Sequence, residues 1–208
     1  MKYALGLIES YGNEFDKNLV ALEKVLMKAQ EQRVDLVLFG EKCLGEIELS
    51  ENSTGFFQLR MLATNYDTPF GIGFTLLDNE GTHNAYGVFN KDGSLLSLSY
   101  ETQQSPQFTL KDKTFTVVIG QDGFYWDTPV ESLVLWPVRL SHTPKEWFNE
   151  GMGTYRNQCA QLSNEVILVN LMCNQEACQS YRGGFYVKDQ KFILNQPMEQ
   201  VGLSIFDD

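Results

Sequence analysis

Apolar and polar residues follow two rhythms along this chain, and the switches between them outline its elements. Tyr3 to Ile8 is an apolar run of strand length, and Tyr11-Gly12-Asn13 is a turn. Beyond it Phe15, Leu19, Leu22, Val25, Leu26 and Ala29 fall on one face at helical spacing. Asn13 is placed to cap that helix, and Asp16 complements the dipole of its N-terminus. Val34 to Phe39 is apolar except for Asp35, the pattern of a strand covered on both faces. A second helix over Thr54 to Asn65 and a strand over Phe70 to Leu77 follow. Asn84 to Asn90 and Ser94 to Tyr100 flank Lys91-Asp92-Gly93, and Asp-Gly between two strand-like runs predicts a hairpin. Thr114 to Ile119 and Leu133 to Trp136 are further strands. Pro144 opens a third helix, about Lys145 to Leu162, and Val166 to Leu171 returns as a strand. Gly184 to Val187, Lys191 to Leu194 and Val201 to Phe206 read as a closing meander, turned at Asp189-Gln190 and Gln196-Pro197. With neither a low-complexity linker nor a short repeat, the pattern alone predicts one two-layer α/β domain over residues 1–208.

Composition narrows the partners. A hydrophobic share of 43% and a charged share of 21% describe an ordinary globular chain. The net charge of −11 repels polyanions, so neither nucleic acid nor an anionic membrane is an expected partner. No apolar run reaches the length of a membrane span. The apolar start is followed by Glu9 and Glu14 without a small-residue cleavage site, so it reads as a first strand and not a signal peptide. Cys43, Cys159, Cys173 and Cys178 show no CxxC spacing and are too few to staple the chain, which makes a reducing cytoplasm the expected compartment.

Candidate chemistry is sparse. With His83 and His142 the only histidines, no multi-histidine metal site can form, and no metal or cofactor is expected. No serine sits in a nucleophile-elbow pattern. Glu41 follows an apolar strand, the end at which α/β folds place their sites. Cys43 is two positions on, either a small buried hydrophobe or a nucleophile.

The order of several motifs resembles the nitrilase (carbon–nitrogen hydrolase) superfamily over essentially the whole chain. Phe39-Gly40-Glu41 resembles the family's glutamate motif. His83-Asn84-Ala85-Tyr86-Gly87-Val88-Phe89-Asn90-Lys91-Asp92-Gly93 resembles the first half of its hairpin motif. The second half, Tyr100-Glu101-Thr102-Gln103, carries Glu101 where the family has lysine. Ile119-Gly120-Gln121-Asp122 carries Gly120 where it has cysteine. Leu133-Val134-Leu135-Trp136-Pro137 and Ser180-Tyr181-Arg182-Gly183-Gly184 resemble later segments.

The resemblance implies a four-layer αββα sandwich with mixed sheets, in which Glu41, Glu101 and Gly120 converge, with Asp122, Gln121 and Cys43 as further pocket candidates. The family's thiolate, carboxylate and cation would here be reduced to the carboxylate. About a dozen residues separate Gly120 from Leu133, too few for the helix that follows the family's cysteine. Three functions then stand open: an inactive protein that binds a ligand or partner, an amide or nitrile hydrolase using Cys43, or a structural protein with a filled pocket. Two carboxylates in one site would share a proton or admit a cation, so a small cationic ligand is implied. Family habit implies a homodimer, and Trp147, Phe148, Met152 and Tyr155 on the third helix read either as core or as its interface.

Overall fold

Strands that are apolar on both faces need a layer on either side, and the chain supplies those layers by folding its strands into two stacked sheets. The computed structural model describes the chain except residues 13, 46–47, 102–105, 127, 171, 174–180 and 198–200, and except the side chains of 48–49, 172–173 and 195–197. Strand β1 (Lys2–Leu7) and the short β2 (Glu9–Ser10) precede helix α1 (Phe15–Glu31). Then come β3 (Leu36–Leu38), β4 (Glu48–Leu49), α2 (Thr54–Asn65), β5 (Phe70–Asp78), β6 (Gly81–Phe89) and β7 (Leu95–Tyr100). After β8 (Gln107–Leu110), β9 (Lys113–Val117) and β10 (Leu133–Val138), helix α3 starts at Pro144–Glu146, passes through a π-turn at Trp147–Gly151 and ends with Met152–Leu162. The chain finishes with β11 (Glu165–Asn170), β12 (Met172–Cys173), β13 (Gly183–Lys188), β14 (Lys191–Pro197) and β15 (Gly202–Asp207).

One sheet runs β15-β1-β3-β5-β6-β7, with β4 also on β5, and the other runs β14-β13-β11-β10-β9-β8. Both mix parallel and antiparallel pairs: β1 is parallel to β3 and antiparallel to β15, while β10 is parallel to β9 and β11. Alternation along β1 shows how the layers form. Ala4 faces the helix side with Leu22, Leu26, Phe56 and Phe74, whereas Tyr3, Leu5 and Leu7 face the other sheet and meet Phe115, Val117, Ile167 and Tyr186. On the far side of the second sheet Val134, Trp136, Val166 and Phe185 pack under Trp147, Cys159 and Leu162 of α3. The architecture is therefore αββα. Two layers, as the pattern alone suggested, would leave one face of each sheet uncovered.

Helix starts follow local chemistry. The Ser53 hydroxyl accepts from Phe56 N at α2, and α3 opens on a capping box between Thr143 and Glu146. At α1 the N-cap position is Glu14, with Asp16 in the first turn; Asn13 lies outside the described residues. The π-turn widens α3 where Trp147 enters the core.

The structure departs from the expectations in several places and decides one that was left open. Val201 to Phe206 is not the last strand of a meander, because β15 crosses to the first sheet and pairs along the whole of β1, from Lys2↔Asp207 to Leu7↔Gly202. That crossing sets Phe206 between Tyr3 and Tyr186, each with ring centroids 5.5 Å away, in the inter-sheet core. Gln196-Pro197 accordingly ends β14 instead of forming a turn. The hairpin β8–β9 was also unforeseen; it turns at Lys111 and Asp112, both with positive φ. The aromatic stripe of α3 is mostly core: Trp147 and Tyr155 are buried, Met152 is half-buried, and only Phe148 is well exposed, at 49%.

A ring of charges joins the sheets. Asp208, just past β15, accepts from Lys113 and Lys188, and both lysines also reach Glu165 at 2.8 and 2.9 Å. Tyr186 adds a hydroxyl to Asp208 at 3.0 Å. Burial alone would raise the Asp208 carboxyl, but the hydrogen bonds from Lys113, Lys188 and Tyr186 outweigh it and hold the group well below the usual carboxylate range. A depressed carboxyl stabilises the fold above its ordinary range and ceases to do so as pH falls. Asp208→Ala is expected to cost about 1–2 kcal/mol at neutral pH, lowering the melting temperature by about 2–8 °C. The deficit relative to wild type should shrink on acidification, as a calorimetric pH series would show.

Candidate functional site

The site begins where β3 ends. Phe39 N donates to Gly71 O at 2.9 Å and Gly73 N to Gly40 O at 3.2 Å, so the chain leaving β3 stays alongside β5. A Cβ on Gly73 would lie 2.7 Å from Glu41 Cα and 2.5 Å from Lys42 N, so only glycine lets the turn at 41–44 lie this close to β5. Glu41 is thereby fixed as a buried carboxylate, 8% exposed.

Glu101 follows β7, and its N–H donates to Asn84 O of β6 at 2.9 Å. The Asn84 amide bridges the two acids: Nδ2 donates to Glu41 Oε1 at 2.9 Å and to Glu101 Oε2 at 3.0 Å. From the second sheet β9 delivers Gly120, the first residue of a 3-10 turn (Gly120–Phe124), at φ +50°. The Trp136 indole donates to its carbonyl at 2.9 Å and holds the turn down. A Cβ on Gly120 would lie 2.9 Å from Glu41 Oε2 and 3.0 Å from Glu101 Oε1. Glu41, Glu101 and Gly120 thus converge, and the carboxylates face each other across the space a side chain at 120 would fill.

Burial raises the Glu41 carboxyl above its ordinary range; the Asn84 hydrogen bond opposes this, and the charge of Glu101 adds to it. Lys42 and Arg139 lie near enough to offset part of the effect. Tyr155 feels the same charge: burial first, and Glu41 second, push its hydroxyl up to about 12. Among the described residues no three histidine, cysteine or acidic side chains group so as to hold a metal.

Cys43 does not join the pair. The Cys43 thiol is 1% exposed in the core beneath α1 and α2, directed at Gly73 O at 3.8 Å, and burial pushes it up to about 12. Two residues in a tight turn suffice to point Glu41 and Cys43 to opposite sides of the sheet. Gln121 is exposed and Asp122 half-buried in the 3-10 turn. His83 pairs with Asp78 at 3.1 Å, and His142 packs near Trp147. Thr102, Gln103, Cys178 and the Cys173 side chain lie outside what is described. What the sequence reading missed is Asn84, which stood inside the quoted hairpin motif without a role.

Two substitutions test this geometry. Gly120→Ala should cost about 1–2 kcal/mol through its left-handed backbone alone, and more through crowding of the two carboxylates, read as a fall in urea midpoint at unchanged m. Glu41→Gln should act oppositely. A carboxyl held above its ordinary range makes the fold less stable as pH rises through that range. The variant should therefore melt above wild type at neutral pH, and the difference should vanish in acid.

No protein-family model matches the sequence, and no curated protein does. Solved structures share the fold. The NitN amidase from Nesterenkonia sp. AN1 superposes with a TM-score of 0.78 at 13% identity, over 100% of this chain and 92% of its own. An amidase from Nesterenkonia sp. gives 0.77 at 14% identity, over 99% and 89%. A variant of the AN1 amidase, carrying the acetamide moiety of fluoroacetamide added covalently at its active site cysteine, gives 0.77 at 13% identity, over 99% and 88%. This chain therefore has, from end to end, the fold of amidases of the nitrilase superfamily.

Proposed function

We propose that this chain is a nitrilase-superfamily member that has lost the family's hydrolysis and serves as a binding module built on the vestigial site. The observation that carries the reading is Gly120: the strand-end position that faces Glu41 has no side chain, and the second group facing it is an acid. An acyl-transfer cycle needs a nucleophile and a donor or cation for the developing oxyanion. A glycine supplies no nucleophile, and Glu101 would oppose the oxyanion. Losses within such a unit are close to complete when even one member is removed. The rival nucleophile fares badly, since a core thiol pushed up to about 12 is protonated at neutral pH and cannot meet substrate. A homodimer remains part of the proposal, although on α3 only the exposed Phe148 still supports it.

Fluoroacetamide supplies the test, because its acetamide moiety adds covalently to the active site cysteine in a variant of the AN1 amidase. Intact-mass spectrometry of this chain after prolonged exposure is expected to show no adduct, and ammonia release from small amides should not exceed the buffer rate. An adduct on Cys43, or turnover, would overturn the reading. Light scattering at high protein concentration tests the dimer, which a monomer mass would remove.

A further inference from the structure

We infer that β15 is the surface through which two copies of this chain pair, edge to edge; the inference names the interface of the homodimer proposed above and rests on that reading. β15 is the last strand of its sheet, with β1 on one side and, among the described residues, no strand on the other. The register along β1 shows which main-chain groups are left over. Asp208 N donates to Met1 O at 3.0 Å, whereas Lys2 O turns to the far side of β1 and accepts from Asp35 N at 2.8 Å. In an antiparallel pair such bonds recur at every second residue, so Gly202, Ser204 and Phe206 turn their main-chain groups toward β1. Those of Leu203, Ile205 and Asp207 point outward from the edge.

Sheets guard their edges against stray pairing with bulges, prolines, lysines or short strands. The other edges have such guards. β7 carries a register shift opposite Val88 and Phe89 and exposes none of its side chains, β8 is 4 residues long, and β14 starts at Lys191 and ends at Pro197. β15 lacks them: its register is unbroken, Val201 to Phe206 holds neither a charge nor a proline, and Val201 and Ile205 are exposed. The segment also fits itself. An antiparallel copy centred on Ser204 sets Leu203 opposite Ile205 of the second copy, and each such pair exchanges both its main-chain bonds. Gly202, where a Cβ would meet nothing within 4 Å, then faces Phe206 of the second copy, so no side chain opposes the ring. Asp207 and Asp208 of the two copies fall at opposite ends of the pair, whereas parallel pairing would set these acids side by side in a chain of net charge −11.

Sedimentation equilibrium of the whole chain and three variants tests this. Ile205→Lys should raise the dimer dissociation constant at least about tenfold, because it puts a charge into the paired edge of both copies; its melting curve checks that β15 still seats on β1. Ser204→Cys should close a disulfide between copies under mild oxidation. Its two Cα atoms would stand about 4.5 Å apart in a non-hydrogen-bonded pair, within the span of about 4.4–6.8 Å that a disulfide bridges. Wild type oxidised alike controls for the native cysteines, and the crosslink decides where Ile205→Lys fails to fold. Phe148→Glu, on α3, should leave the dimer intact. A dimer unmoved by Ile205→Lys, no crosslink beyond wild type in Ser204→Cys, or a dimer dissolved by Phe148→Glu would each overturn the inference while the dimer itself stands. A monomeric wild type, whatever extended peptide its edge then took up, would overturn the dimer as well, so the two failures are told apart.

Discussion

Everything in this molecule depends on two sheets packing face to face. Each sheet needs helices on its outer face and the other sheet on its inner face, and that demand explains the continuous apolar strands. It also positions the site. β3 and β9 belong to different sheets, yet Glu41 and Gly120, just past their ends, come within contact only because the sheets stack. The inter-sheet core of Tyr3, Phe115, Tyr186 and Phe206 and the charge ring around Asp208 hold that stacking together. A loosening of the inter-sheet contact would therefore part the site as well as the fold.

Local elements were legible from the sequence because local rules fix them. α2 falls over the expected residues, capped by Ser53, and Gly93 of the Asp92-Gly93 hairpin and both residues of the Asp189-Gln190 turn adopt positive φ values. The four layers were legible only through resemblance, since periodicity cannot count how many sheets cover a strand. The fate of β15 was not legible at all. Its apolar alternation serves equally beside β14 or beside β1, and the choice is made by Phe206 finding the inter-sheet core 203 positions away from its neighbour Tyr3 in the chain.

The site shows the same division. That Glu41 stands at a strand end and that residue 120 lacks a side chain can be read directly. That Asn84 ties Glu41 to Glu101 cannot, because it joins residues 43 and 17 positions away through one amide group. Cys43 illustrates the reverse error. Nearness in sequence to Glu41 suggested a shared pocket, but the turn sends the thiol to the helix-side core.

The two departures from the resembled triad are physically one departure. A side chain at residue 120 would bring its Cβ to 2.9 Å from Glu41 and 3.0 Å from Glu101, so the carboxylates occupy their present places only because that side chain is missing. Conversely, without the Glu101 carboxylate the bridging Asn84 amide would lose one of its two acceptors. A side chain added at residue 120 alone would be crowded by both acids. Burial that raises the Glu41 carboxyl works against the fold at neutral pH, so a site made only for stability would hold a neutral side chain there. The paired acids therefore stand at a cost in stability that their shared bond to Asn84 offsets only in part.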